Sequence, residues 1–195
     1  MHAYILATGR TIEPFQRSVG EMKVHRGTLA DAQEAILRSL GCRVQRIDQL
    51  SQAEQFPCLV IEDDLFFTYH AAKRFWQQAR GSNSSRPLQA ALRQSDLTDR
   101  FFPVLQGPVS QDERGENVRT YPMYYLPRAV EAAALTTEAA ALPIKHRFTR
   151  ISGRANRYFE ESGRFVVPVS LVFMMPGRHW AALVPVNLLG MASHL

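Results

Sequence analysis

Three short apolar runs, at residues 3–8, 42–47 and 57–61, interleave with two helix patterns, and this order leaves few folds open. Residues 3–8 suit a buried strand. Thr28 is a candidate N-cap with Asp31 three residues on, a capping-box variant. Leu29, Ala32, Ile36, Leu37 and Leu40 share one face of the helix that follows, and Gly41 is placed to end it. Residues 42–47 alternate apolar and polar, a second strand, and residues 57–61 form a third that runs into Glu62-Asp63-Asp64. A second helix over 69–80 turns Ala72, Phe75, Trp76 and Ala79 to one side. Strand–helix–strand–strand–helix predicts an α/β protein, a Rossmann-like three-layer sandwich around a mostly parallel central sheet.

Downstream, the pattern predicts a short helix over 88–94, strands over 101–105 and 121–126, and a polar turn over 110–117. Pro127 suits the first turn of an Ala-rich helix over 128–141 that stops before Pro143. Residues 146–152 and 165–174 have strand composition, and residues 180–189 read as a closing helix or an extended arm. The Gly-Ser-rich loop at 81–85 is too short to separate domains, so one domain over 1–195 is expected. A chain of 195 residues, 46% hydrophobic and 21% charged, can bury a sizeable core, which excludes a disordered chain, a collagen and a coiled coil. The apolar ending Leu188-Leu189-Gly190-Met191 predicts either a chain cut short or a C-terminus buried against a partner.

The net charge of +5 lies wholly in residues 114–195. Basic side chains are 20 Arg and 3 Lys, and Arg forks suit phosphate and carboxylate recognition. The densest basic stretch, Lys145, Arg147, Arg150, Arg154, Arg157 and Arg164, is interleaved with Phe148, Tyr158 and Phe159. A solvated basic face accounts for it, and nucleic-acid binding is not expected. Two cysteines, Cys42 and Cys58, make neither a disulfide framework nor a four-cysteine zinc site, and both read as small core hydrophobes. The apolar run 165–175, broken by Pro168 and Ser170, is too short to span a bilayer. No secretory signal opens the chain, and a cytoplasmic protein with reduced thiols is expected.

Glu62-Asp63-Asp64 is the sharpest local feature. Ligands of α/β sheets sit beyond the carboxyl ends of strands, and carboxylates there hold Mg²⁺, which binds substrate phosphates. Two other readings stand beside it, a solvated corner and a structural cluster paired with Arg, since three adjacent acids repel without a counter-charge. Gly9-Arg10-Thr11 after the first strand offers backbone N–H groups to a phosphate, although neither GxGxxG nor a P-loop is present. The six histidines include no HExxH and no i, i+4 pair, which argues against a zinc enzyme, and no G-x-S-x-G elbow occurs.

Ala3-Tyr4-Ile5-Leu6-Ala7-Thr8-Gly9-Arg10 resembles the first strand and loop of sugar nucleotidyltransferases. Residues 28–40 followed by Gly41-Cys42-Arg43-Val44 resemble their next helix and strand, and Leu59-Val60-Ile61-Glu62-Asp63-Asp64-Leu65-Phe66 the strand ending in their metal-binding Asp. His179-Trp180 and Asn187-Leu188-Leu189 resemble the segment that closes this domain in members carrying a left-handed β-helix. The resemblance implies a nucleotidyltransferase-like fold, Asp64 as ligand of Mg²⁺, and Asp63 in place of a usual glycine. Arg10 and Lys23 would offset phosphate charge, so Arg10, Lys23 and Asp64 are the catalytic candidates. Thr8, Gly9, Arg10, Glu62 and Asp63 would bind substrate, a nucleotide or nucleotide-sugar. A homo-oligomer or a downstream β-helix domain is the implied protein partner.

The sequence also departs from the family. Its first loop is poor in glycine, Lys23 lacks a preceding Pro, and no Asp follows Asp112 to supply the family's second, late metal ligand. Three readings therefore stay open. One is an active nucleotidyltransferase, and one is a catalytically silent assembly or ligand-binding module of the same fold. The third is a glycosyltransferase using a nucleotide-sugar through the acidic motif.

Overall fold

The computed structural model describes residues 1–12, 16–24, 27–93, 107–145, 149–154, 164–169 and 172–177. The expected strand at 101–105, the segment 180–189 and most of the basic stretch after Lys145 lie outside them. The first strand, β1 (His2–Leu6), is followed by two small hairpins, β2 (Thr11–Ile12) with β3 (Arg17–Ser18) and β4 (Lys23–Val24) with β5 (Gly27–Thr28). The helix α1 (Leu29–Ser39) leads to β6 (Arg43–Ile47), β7 (Cys58–Glu62) and β8 (Leu65–Phe67). Then come α2 (Tyr69–Gly81), β9 (Leu88–Arg93), β10 (Val109–Gln111), β11 (Asn117–Leu126), α3 (Ala132–Thr137) and β12 (Ala140–Pro143). Later come the hairpin β13 (Thr149–Arg154) with β14 (Arg164–Val169), and β15 (Met174–Pro176), which pairs with β8.

The central sheet runs β12-β9-β11-β7-β1-β6, with β10 on β11. β6, β1 and β7 are parallel to one another, as are β9 and β12, while β11 is antiparallel to β7, β9 and β10. One strand therefore runs against the rest of a mostly parallel sheet. Side chains alternate across it as a pleated strand requires. Ala3, Ile5, Leu59, Ile61, Tyr121 and Met123 face α1 and α2 in one cluster, with Leu37, Ala72 and Phe75. Tyr4, Cys58, Val60, Tyr124 and Leu126 face the other way, against Leu50, Ala53 and Leu135 of α3. That second face is covered, among the described residues, by a loop and one short helix.

The capping box at α1 is as the sequence predicts: Asp31 N donates to Thr28 Oγ1 (3.1 Å) and Thr28 N to Asp31 Oδ2 (3.0 Å). Gly41, at φ +78, closes the helix in a conformation that a side chain disfavours. Two segments differ from expectation. Residues 88–93 are a strand, because β11 and β12 pair with both edges of β9 and bury Leu88, Ala90 and Ala91. Pairing on both sides overrides the helix propensity of Leu and Ala. The Ala-rich stretch 128–141 likewise splits into α3 and β12. Thr137 Oγ1 donates to Ala133 O in the last turn, and Ala140 onward pairs with β9.

Cys42 and Cys58 are buried, and burial pushes their thiols up to about 11 and about 12. Neither should react with an aromatic disulfide reagent until the protein unfolds. Thr28→Ala should cost about 1 kcal/mol of stability in urea unfolding. The hydrogen bonds from Thr28, then Arg46, hold the Asp31 carboxyl below its ordinary value. The stability from Asp31 is thus fully present above the unfolded carboxyl pKa of about 3.9 and is lost as pH falls through the lower folded value. Asp31→Asn, which removes that charge, and wild type should therefore converge in stability toward acid pH.

Candidate functional site

β1 and β7 lie side by side, with Leu6 opposite Glu62. The chain leaves β1 through α1 to β6 on one flank, and leaves β7 through α2 toward β9 on the other. The strand order reverses between β1 and β7, so the loops at their carboxyl ends diverge. Open α/β sheets take ligands in the crevice at such a point.

Six of the seven residues singled out in the sequence meet here. Thr8 N and Thr8 Oγ1 both donate to Asp63 Oδ1, at 3.0 and 2.7 Å. Asp63 N donates to Leu6 O at 3.0 Å, which extends the β1–β7 ladder into the turn. Gly9, at φ +64, bends the chain back, and Arg10 N donates to Thr8 Oγ1 at 3.3 Å. The Arg10 guanidinium then returns over the strand ends. Its Nη1 donates to Glu62 Oε2 at 2.5 Å and to Asp64 Oδ2 at 2.7 Å. Asp64 is fully buried, whereas the Arg10 side chain is 41% exposed. Burial opposes the Arg10 charge, but the Asp64 hydrogen bond and the charges of Glu62 and Asp64 outweigh it, so its pKa lies above the ordinary value. The acidic run is a buried cluster paired with Arg, and not a solvated corner.

Lys23 does not join this group. It is exposed on β4, opposite Thr28 of the hairpin that leads into α1, and forms no ion pair with the cluster. The antiparallel pairing of β4 with β5 sets its position.

The donor set can be weighed against Mg²⁺. That ion takes oxygen ligands, keeps several waters, and is usually held by one or two carboxylates together with substrate phosphates. Glu62 and Asp64 each bring an oxygen to a single cationic nitrogen, so their oxygens converge as such a site needs. Asp63 is turned away to Thr8. Among the described residues no group of three or more His, Cys, Asp or Glu side chains is arranged to hold a metal. The pair fits an ion that arrives with phosphates, and not a cage made by protein alone.

Three site residues escape the sequence reading. Gln33, 1% exposed, sends its amide from α1 into the 62–65 turn. Its signal is positional: it stands midway between Leu29 and Leu37, in the middle of the buried face. Gly20 lies against Asp63, where an added Cβ would come 3.2 Å from Oδ2. Gly177 N donates to Asp64 O at 2.6 Å, and a Cβ there would meet Val19 Cγ1 at 2.9 Å and Asp64 O at 3.1 Å. Both glycines are visible in sequence only as glycines, because the contacts that require them are long-range.

No family model matches the chain, and no curated protein matches it significantly.

Arg10→Ala should destabilise the fold by about 2 kcal/mol, since it removes a charge-assisted partner from a buried carboxylate. In combination with Asp64→Asn the loss should fall short of the sum of the single losses, as measured by a double-mutant cycle in urea. Gly177→Ala should cost about 1–3 kcal/mol by overpacking against Val19 and the 62–65 turn.

Proposed function

We propose that the crevice between the β1 loop and the end of β7 binds the phosphates of a nucleotide or nucleotide-sugar, in a domain of the sugar nucleotidyltransferase kind. The observation that carries this reading is the placement of Arg10. A partly exposed guanidinium, fixed by two carboxylates, stands where the strand order reverses. Phosphate oxygens are matched by such a fork and by the backbone around Gly9.

In the reaction proposed, an oxygen of a sugar phosphate attacks the α-phosphorus of a nucleoside triphosphate. The new P–O bond forms as the bond to the β-phosphate breaks, and pyrophosphate leaves with the electron pair. Arg10 offsets charge on the phosphates as it moves toward the leaving group. Thr8 fixes Asp63, and with it the backbone of the turn that carries Glu62 and Asp64. Mg²⁺, held by Glu62 and Asp64, would neutralise phosphate charge when it arrives with the nucleotide.

A second reading has its own observation. Among the described residues, the late segment that reaches the acidic turn is β15 with Gly177, which meets Asp64 through a backbone N–H and carries no carboxylate. With Lys23 also outside the cluster, this favours a catalytically silent module of the same fold, which works by binding or by assembly into an oligomer.

Titration calorimetry against nucleoside triphosphates and nucleotide-sugars, with and without Mg²⁺, separates the two. Metal-dependent binding that Asp64→Ala abolishes, with pyrophosphate release in the presence of a sugar phosphate, is the result expected of the transferase. Binding without turnover supports the silent module. Binding of nucleoside diphosphates with metal and none of triphosphates would move the assignment to a glycosyltransferase. No binding across the panel overturns the nucleotide reading.

A further inference from the structure

Gln33 is a buried polar side chain in the middle of an apolar helix face, and its contacts are matched to one short stretch of chain. Its Nε2 carries two hydrogens, and the two acceptors it meets are Glu62 O at 3.0 Å and Leu65 O at 2.7 Å. These carbonyls belong to the two residues that flank Asp63-Asp64. Both are acceptors, so the nitrogen must face them. Gln33 Oε1 is buried and has no hydrogen-bond partner among the described residues. The rest of the turn is tied by Thr8 to the Asp63 carboxylate, by Arg10 to Glu62 and Asp64, by Asp63 N to Leu6 O and by Gly177 N to Asp64 O. Gln33, from α1, reaches both of its ends with one amide nitrogen.

We propose that Gln33 is the positioning residue of the acidic turn. It sets the separation of the Glu62 and Leu65 carbonyls, and so sets where the Glu62 and Asp64 carboxylates stand relative to Arg10. It touches no ligand in this role, and its effect on nucleotide binding rests on the function proposed above.

The test uses the full chain and two variants. Gln33→Met keeps the length of the side chain and removes the donor. Leu37→Ala removes packing from the same helix face one turn on, without touching the turn. Amide hydrogen exchange is read at Asp63 and Gly177, with Ile5 and Val60 of the sheet for reference. In Gln33→Met, Asp63 and Gly177 should exchange at least about tenfold faster relative to the reference amides, and affinity for the nucleotide bound by wild type should fall by about tenfold, the loss typical of removing an outer-shell support. In Leu37→Ala exchange should rise evenly, with affinity kept. The same even rise in Gln33→Met, or unchanged exchange at the turn, overturns the proposal. If Gln33→Met does not fold, Gln33→Asn, which keeps the amide and shortens its reach, is read by the same criterion. Should wild type bind no nucleotide, the functional reading fails, while the exchange pattern still decides the role of Gln33.

Discussion

A fully buried carboxylate next to two other acids needs a cation, and this constraint organises the end of the sheet. Arg10 supplies the charge from the other strand of the pair, so electrostatic compensation also ties the β1 loop to the β7 turn. The arrangement depends on several local features at once. Thr8 must hold Asp63, Gly9 must turn the chain back, and Gly20 must leave room beside the Asp63 carboxylate. The ion pair is half open to water on its Arg side, where charge attraction is screened, and closed on its Asp side, where it is strong. A group of this kind remains folded in the absence of ligand and still presents a cation to one.

The sheet supplies the rigid frame. β1 and β7 are buried on both faces and read as nearly continuous apolar runs, as parallel strands inside an α/β protein do. Helices cover one face, and on the other a loop around Leu50 meets Tyr4, whose hydroxyl accepts from Glu54 N and Gln55 N. That phenol is the polar end of a core residue, and it satisfies backbone donors that would otherwise be lost beneath the loop.

Much of this was legible in residue order. The capping box at Thr28 and Asp31, the acidic end of the 57–61 strand and the burial of both cysteines are local signals, and they stand where the pattern placed them. The helix expected at 88–94 is a strand because its edges are filled by chain distant in sequence, which no local propensity reports. Thr8, Gly9, Arg10, Glu62, Asp63 and Asp64 converge because two parallel strands end together, a consequence of topology that the strand–helix–strand order already contained. Lys23 was placed by resemblance alone, and the local hairpin sends it elsewhere. Gln33 was passed over because helix-face reasoning counts apolar residues, and a buried amide is visible only by its position among them.

The pairing of β15 with β8 has a temporal side. Phe173 N reaches Thr68 Oγ1 across 105 positions of chain, and Gly177 comes to the acidic turn with the β15–β8 pairing that this contact accompanies. Closing so long a loop is entropically costly and slow compared with local steps such as forming α1. During synthesis from the N-terminus, β1, α1, β6 and β7 emerge well before β15 exists. The cluster of acids therefore passes through a period in which its charge is balanced by Arg10 while Asp64 O still lacks its contact from Gly177 N, and the crevice is completed late. Order of assembly, as much as final geometry, makes an internal counter-ion useful: the buried charge has its partner before the rest of the site arrives.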